Sequence, residues 1–147
     1  IKRNINMSLD RIFGIAGTAL NAQLTRMNLT ASNLANQGTV NTTENEAFRA
    51  KRPVFKAILN EKMATPGAPY VGGVKVDKII DTIAPPPKVY DPSSPLADEK
   101  GYVYMSNVNE VTEMVEMMAS ARAYQNNVEV VNTARQLIMK TLEITRS

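Results

Sequence analysis

The sequence predicts a mainly α protein in which long N- and C-terminal helices pair as a coiled coil. A small β or extended middle forms a proline-rich, hairpin-like insertion between them. Three observations carry this. All eight prolines, from Pro53 to Pro95, fall in the middle of the chain, and proline costs about 3 kcal/mol inside a helix. Both proline-free ends repeat apolar residues at alternating steps of three and four. The middle instead carries short alternating runs broken by turn residues. A chain of 147 residues, 44% of them apolar, suits one domain. Its expected organisation is 1–6 as an upstream extension or expression remnant, 7–38 as the first helix, 39–106 as the middle and 107–147 as the last helix.

Composition narrows the chemistry. The chain has no His, Cys or Trp, which excludes Ser-His-Asp and Cys-His catalysis, His/Cys zinc sites and disulfide scaffolds. Of 17 basic residues against 14 acidic ones, Lys2 and Arg3 precede Met7, so the surplus from Met7 onward is one. That is no strong pull on nucleic acid. Residues 1–6 lack the apolar stretch of a secretory signal, and Asp10 and Arg11 interrupt the segment after Met7. The expectation is a cytoplasmic protein, or one that leaves the cytoplasm without a cleavable signal, with no membrane span.

From Ser8 to about Asn36, Phe13, Leu20, Leu24, Met27, Ala31 and Leu34 form a narrow helical seam. Ser8 is placed to cap this helix, Asp10 to face its dipole, and Gly38 to end it in a left-handed cap. Between Met7 and Asn36 only Asp10, Arg11 and Arg26 are charged, and the polar face is otherwise amides and hydroxyls. Neutral amides cost less to bury than charges. An ordinary amphipathic helix and a helix packed by protein on several sides both fit.

In the middle, Phe48–Leu59, Gly73–Ile80, Val89–Tyr90 and Tyr102–Tyr104 have strand character. Turn chemistry stands at Thr65 to Pro69, Gly72 to Gly73, Pro85 to Pro87 and Asp91 to Pro95. Arg49, Lys51, Arg52 and Lys56 form a basic cluster, read as a solvated strand face in preference to a phosphate or nucleic-acid site. Asp98 and Glu99 sit in a polar turn without a desolvated setting, and the scattered glycines cradle no phosphate. No catalytic, cofactor or metal residue stands out.

The last helix opens on a capping-box spacing, Asn107 to Glu110, and runs to about Thr145. Met114, Met117, Ala121, Tyr124, Val128, Val131, Ile138 and Leu142 make its stripe, read as core rather than as a ligand groove. Glu110, Glu113 and Glu116 crowd its start, and Arg135, Lys140 and Arg146 lie toward its end, as the macrodipole favours.

At the end of the first helix, Ala31-Ser32-Asn33-Leu34-Ala35-Asn36 followed by Gln37-Gly38-Thr39 closely resembles the amino-terminal signature of bacterial flagellar rod and hook proteins. Ser120 to Thr133 resembles the matching carboxy-terminal block. Phe48-Arg49-Ala50-Lys51, Gly72 to Val76, and Pro95 to Asp98 with Gly101 to Val103 are similar to the proximal rod members. Val40-Asn41-Thr42, standing before Ala47-Phe48, departs from the general signature and suggests a longer loop.

The resemblance implies a structural subunit of the proximal rod, not an enzyme. It would be exported through the flagellum's own type III apparatus and assembled helically in the periplasm through its terminal helices. Implied partners are other rod proteins, copies of itself, and the basal-body base with its ring and export-gate-adjacent components. No nucleic acid, small-molecule substrate or cofactor is implied. Asn33, Asn36, Thr39, Arg122, Tyr124, Gln125 and Asn132 are the implied subunit contacts, with Asn33 and Asn36 alternatively capping their own helix. A coiled-coil adaptor or secretion-apparatus component, or a basic nucleic-acid-binding module, are the competing readings.

Overall fold

The computed structural model describes residues 2–59 and 72–146, so the turn expected at Thr65 to Pro69 lies outside the described residues. Two long helices, α1 (Lys2–Ala35) and α2 (Glu110–Arg146), flank five strands in sequence: β1 (Val40–Asn41), β2 (Lys51–Leu59), β3 (Gly72–Asp81), β4 (Lys88–Tyr90) and β5 (Tyr102–Met105). β5 pairs antiparallel with β1 on one edge and β4 on the other, while β2 and β3 form a separate two-stranded ribbon. The fold is mainly helical with a small antiparallel sheet region.

Chain contacts divide the molecule into two compact units. The first takes α1 through Thr25, the β2 and β3 stretches Phe55–Leu59 and Gly72–Asp77, and α2 from Ser120. Its interior holds Ala16, Ala22 and Ala134. Thr18 ties strand to helix here: its Oγ1 donates to the Ile15 carbonyl at 2.8 Å and accepts from the Val74 amide at 3.2 Å. A Cβ on Gly73 would lie 3.0 Å from that oxygen, so glycine permits the approach.

The second unit runs from Arg26 to Val54 and from Lys78 to Ala119. Ala47, Ala50, Pro86 and Val103 are buried there, beside buried Thr30, Asn33, Ser106 and Glu113. Gly101 has φ +78°, and a Cβ there would meet the Tyr90 ring at 3.0 Å and Pro92 at 3.1 Å. The Asp98–Gly101 turn it completes closes on Asp98, whose Oδ1 accepts from the amides of Lys100 and Tyr102, each at 2.8 Å. The Tyr102 N–H bond above all, then that of Lys100 and the charges of Lys88 and Lys100, hold this carboxyl below the usual aspartate range. Lys88 Nζ also sits 4.4 Å from the Tyr102 ring centre, and Tyr90 meets Tyr102 edge to face at 5.2 Å.

Several expectations need correction. α1 begins at Lys2, so Ser8 lies inside the helix and Asp10 is not in its first turn. Gly38 does not have positive φ. The helix instead tightens at its end through Asn36 N–H to the Asn33 carbonyl and Gln37 N–H to the Leu34 carbonyl. α2 is capped by Asn109, whose Oδ1 accepts from Thr112 N–H at 2.9 Å, and not by Asn107. β1 was not anticipated: Val40-Asn41 pairs with Met105 and Tyr104 instead of looping free.

The largest difference concerns which residues lie innermost. On α1, Ala16, Gln23 and Thr30 are buried or half-buried at steps of seven, and on α2, Glu113, Ser120, Asn127 and Ala134 follow the same step. Small and polar side chains occupy these lines. Leu24, expected in the apolar seam, is 46% exposed, Met114, expected in the stripe, is also exposed, and so is the neighbouring Met118. Within this chain the methionine stripe is therefore only partly core.

Candidate assembly surface

In the second unit the root of the ribbon is held by side chains, not by apolar packing alone. Asn33, with no exposed surface, spans the backbone of Lys51. Its Oδ1 accepts from Lys51 N–H at 2.9 Å, and its Nδ2 donates to Lys51 C=O at 3.0 Å and to Glu113 Oε2 at 3.0 Å. Glu113, equally buried, takes both guanidinium nitrogens of Arg52, with Nη1 at 3.2 Å from Oε2 and Nη2 on Oε1. A planar fork meeting a carboxylate is the strong form of this contact. Asn107 grips the other side of the root, accepting from Ala50 N–H at 2.7 Å and donating to Thr82 Oγ1 at 2.9 Å and Ala84 C=O at 2.6 Å.

This hub was not foreseen. Its signal in the sequence is thin: two asparagines and a glutamate, each with a nearer explanation in helix capping or the dipole.

The basic cluster is largely neutralised by acids elsewhere in the second unit. Arg49 pairs with Glu44 at 3.4 Å, Lys51 with Asp81 at 3.0 Å, and Arg52 with Glu113. Charges so engaged do not form the open basic stripe that a nucleic-acid backbone requires.

The sequence-predicted contact residues fall in different units. Asn33, Asn36 and Thr39 belong to the second. Asn33 faces inward, so its amide has no surface to offer a neighbour. Asn36 Nδ2 donates to Ser32 C=O at 2.8 Å and Thr39 Oγ1 to Asn36 C=O at 2.8 Å, which closes the helix on itself. Thr39 C=O in turn accepts from Ser106 N–H at 3.0 Å. Arg122, Tyr124, Gln125 and Asn132 belong to the first unit. Arg122, Gln125 and Asn132 are exposed and Tyr124 is half-buried. Asn132 borders an open depression with Glu129, Arg135 and Met139.

Large apolar side chains stand exposed along α2. In the second unit these are Val111 (70% exposed), Met114, Val115 and Met118 (65%), and in the first, Val130, Leu137, Met139, Leu142 and Ile144. Within the first unit, Ile12 of α1 and Val130, Ala134 and Leu137 of α2 line one cavity of about 390 Å³. No helix among the described residues is long and apolar enough to cross a membrane. No group of three or more His, Cys, Asp or Glu able to hold a metal occurs among them either.

Along the two long helices small and polar residues are the most deeply buried, while several large apolar ones stand exposed. Residues 99–144 match the family described as flagellar basal body rod FlgEFG protein C-terminal. Over nearly its whole length the chain is similar to flagellar basal-body rod protein FlgC. It is 49% identical to that of Escherichia coli O6:H1 and 47% to that of Salmonella typhimurium LT2, in each case over 94% of this chain and 98% of the relative. With FlgC of Bacillus subtilis 168 it shares 36% identity over 88% of this chain and 93% of the relative. The chain belongs to the FlgC family of flagellar basal-body rod proteins.

Proposed function

We propose that the chain is a structural subunit of the proximal rod of the bacterial flagellar basal body, with no catalytic role. In this reading it is part of the drive shaft between the membrane-embedded base and the distal rod and hook. It reaches the periplasm through the flagellum's own export route. α1 and α2 run along one another as a coiled coil, a pairing supported locally by Asn33 on Glu113 in one unit and by the shared cavity of Ile12 and Leu137 in the other. The proline-rich middle is an insertion between them. Copies of the chain, other rod proteins and components of the base are the partners. Asn36, Thr39, Arg122, Tyr124, Gln125 and Asn132 are the residues turned to them, and Asn33 serves its own subunit.

The observation that carries the assembly role is the exposed apolar surface of α2. Each side chain of this size yields about 1.5–3 kcal/mol when fully covered, and in a helical assembly every subunit is covered by its neighbours. Met118→Asp tests this directly, because Met118 is exposed in the single chain. In a strain deleted for its own gene, the wild-type chain is expected to restore complete rods seen by electron microscopy. The Met118→Asp chain is expected to be secreted without completing them. Normal rods and swimming with Met118→Asp would remove α2's exposed face from the assembly surface.

A further inference from the structure

The hub at the ribbon root joins three elements from distant parts of the chain: α1 through Asn33, β2 through Lys51 and Arg52, and α2 through Glu113. Its bonds depend on one another. The same Nδ2 that holds Lys51 C=O also donates to Glu113, so the carboxylate aims the amide that grips the strand. That carboxylate has no exposed surface, and the side chain of Arg52, its counter-charge, is only 32% exposed. With Arg52 in place the charge is matched, and with Arg52 withdrawn Glu113 is a buried anion facing one neutral amide. Such a lone charge is far costlier than either the intact pair or a neutral replacement of it.

We infer that Asn33, Arg52 and Glu113 form an all-or-none latch. The ribbon root is seated only when the end of α1, the start of β2 and the start of α2 dock together: without Arg52 the buried Glu113 charge is unmatched, without Asn33 the part-buried Lys51 N–H and C=O lose their partner, and without Glu113 the Arg52 guanidinium and one Asn33 donor lose theirs. The role of the charge is to penalise partial docking, beyond adding strength to the finished contact. Asn107 provides the internal contrast, since it grips the adjacent Ala50 amide without any charge. The inference concerns the single folded chain and does not depend on the rod assignment.

The signature of such a latch is a second substitution that repairs the first. Amide exchange of the purified full-length chain is followed by NMR at Lys51, whose N–H bonds Asn33, and at Ala50, whose N–H bonds Asn107. Arg52→Met is expected to speed Lys51 exchange by about tenfold or more, although Arg52 does not touch that amide, and to affect Ala50 less. Adding Glu113→Gln in the same chain removes the stranded charge and leaves an oxygen that still accepts from Asn33. Its new amide hydrogens face the partly solvated space Arg52 vacated. The double variant is therefore expected to exchange more slowly at Lys51 than Arg52→Met alone.

If Arg52→Met does not fold and the double variant does, the result is the same repair by another readout. Exchange in the double variant as fast as in Arg52→Met or faster, unchanged Lys51 exchange in Arg52→Met, or failure of both chains to fold would each overturn the latch.

Discussion

At the ribbon root, buried polar groups are matched inside the chain: a carboxylate by a guanidinium and an amide, a strand's N–H and C=O by one asparagine, and the facing segment by another. Along the exposed side of α2 beyond Ser120 the situation is the opposite, with Val130, Leu137, Leu142 and Ile144 apolar and uncovered. The first region is finished within one molecule and the second is not. Directional hydrogen bonds fix one arrangement of a chain's own segments. Apolar surface is non-directional and gains stability from whatever covers it, which suits contact with neighbours.

The contrast can be broken most severely at Glu113. Glu113→Ala strands the Arg52 guanidinium and one donor of Asn33, and should lower unfolding free energy by about 2–4 kcal/mol, somewhat under the full cost of an orphaned buried charge because Arg52 reaches solvent. Urea titration followed by circular dichroism measures it, and a change under half a kcal/mol would mean that the hub is not integral to the fold. Asn107→Ala, which frees the Ala50 amide and the Ala84 carbonyl, should cost about 2 kcal/mol by the same titration.

Gly101→Ala comes next, at about 1–2 kcal/mol, because an L-residue is strained at φ +78° and its methyl would press on Tyr90 and Pro92. The pH dependence of the same turn is smaller. Asp98 has a lowered folded value, so its contribution is fully present above the unfolded aspartate value of about 4 and fades as pH falls through the lower folded value. Thermal melts between pH 5 and pH 3 should show a shallower acid loss in Asp98→Asn than in the wild type. An identical slope would exclude Asp98 from the acid response. Met118→Asp closes the series: the monomer should shift by no more than about 0.5 kcal/mol while rod completion is lost, a separation the hub variants cannot give.

The two helices and four of the five strands were legible in the sequence, because proline placement and periodicity are local properties. The inward face was not. An apolar pattern does not by itself say which of its members the chain buries: Leu24, Met114 and Met118 are exposed, while Ala16, Thr30 and Ser120 lie within it. The cap of α2 was displaced by two residues for a definite reason. Asn107 N–H is already committed to Phe48 C=O, and its side chain to the ribbon root, which leaves Asn109 to start the helix. β1 is two residues long and leaves no period to detect. Of the candidate contacts, Asn33 could not be assigned inward or outward from its neighbours in sequence, since its partners lie 18 and 80 residues away.

The bond from Ser106 N–H to Thr39 C=O, at 3.0 Å, joins the residue a few positions past α1 to the residue a few positions before α2. With the β1–β5 ladder beside it, this bond draws the end of α1 and the lead-in to α2 together. The spacing of the two helix ends is thereby set by several local ties, the β1–β5 pairs and the Asn33–Glu113 bond among them.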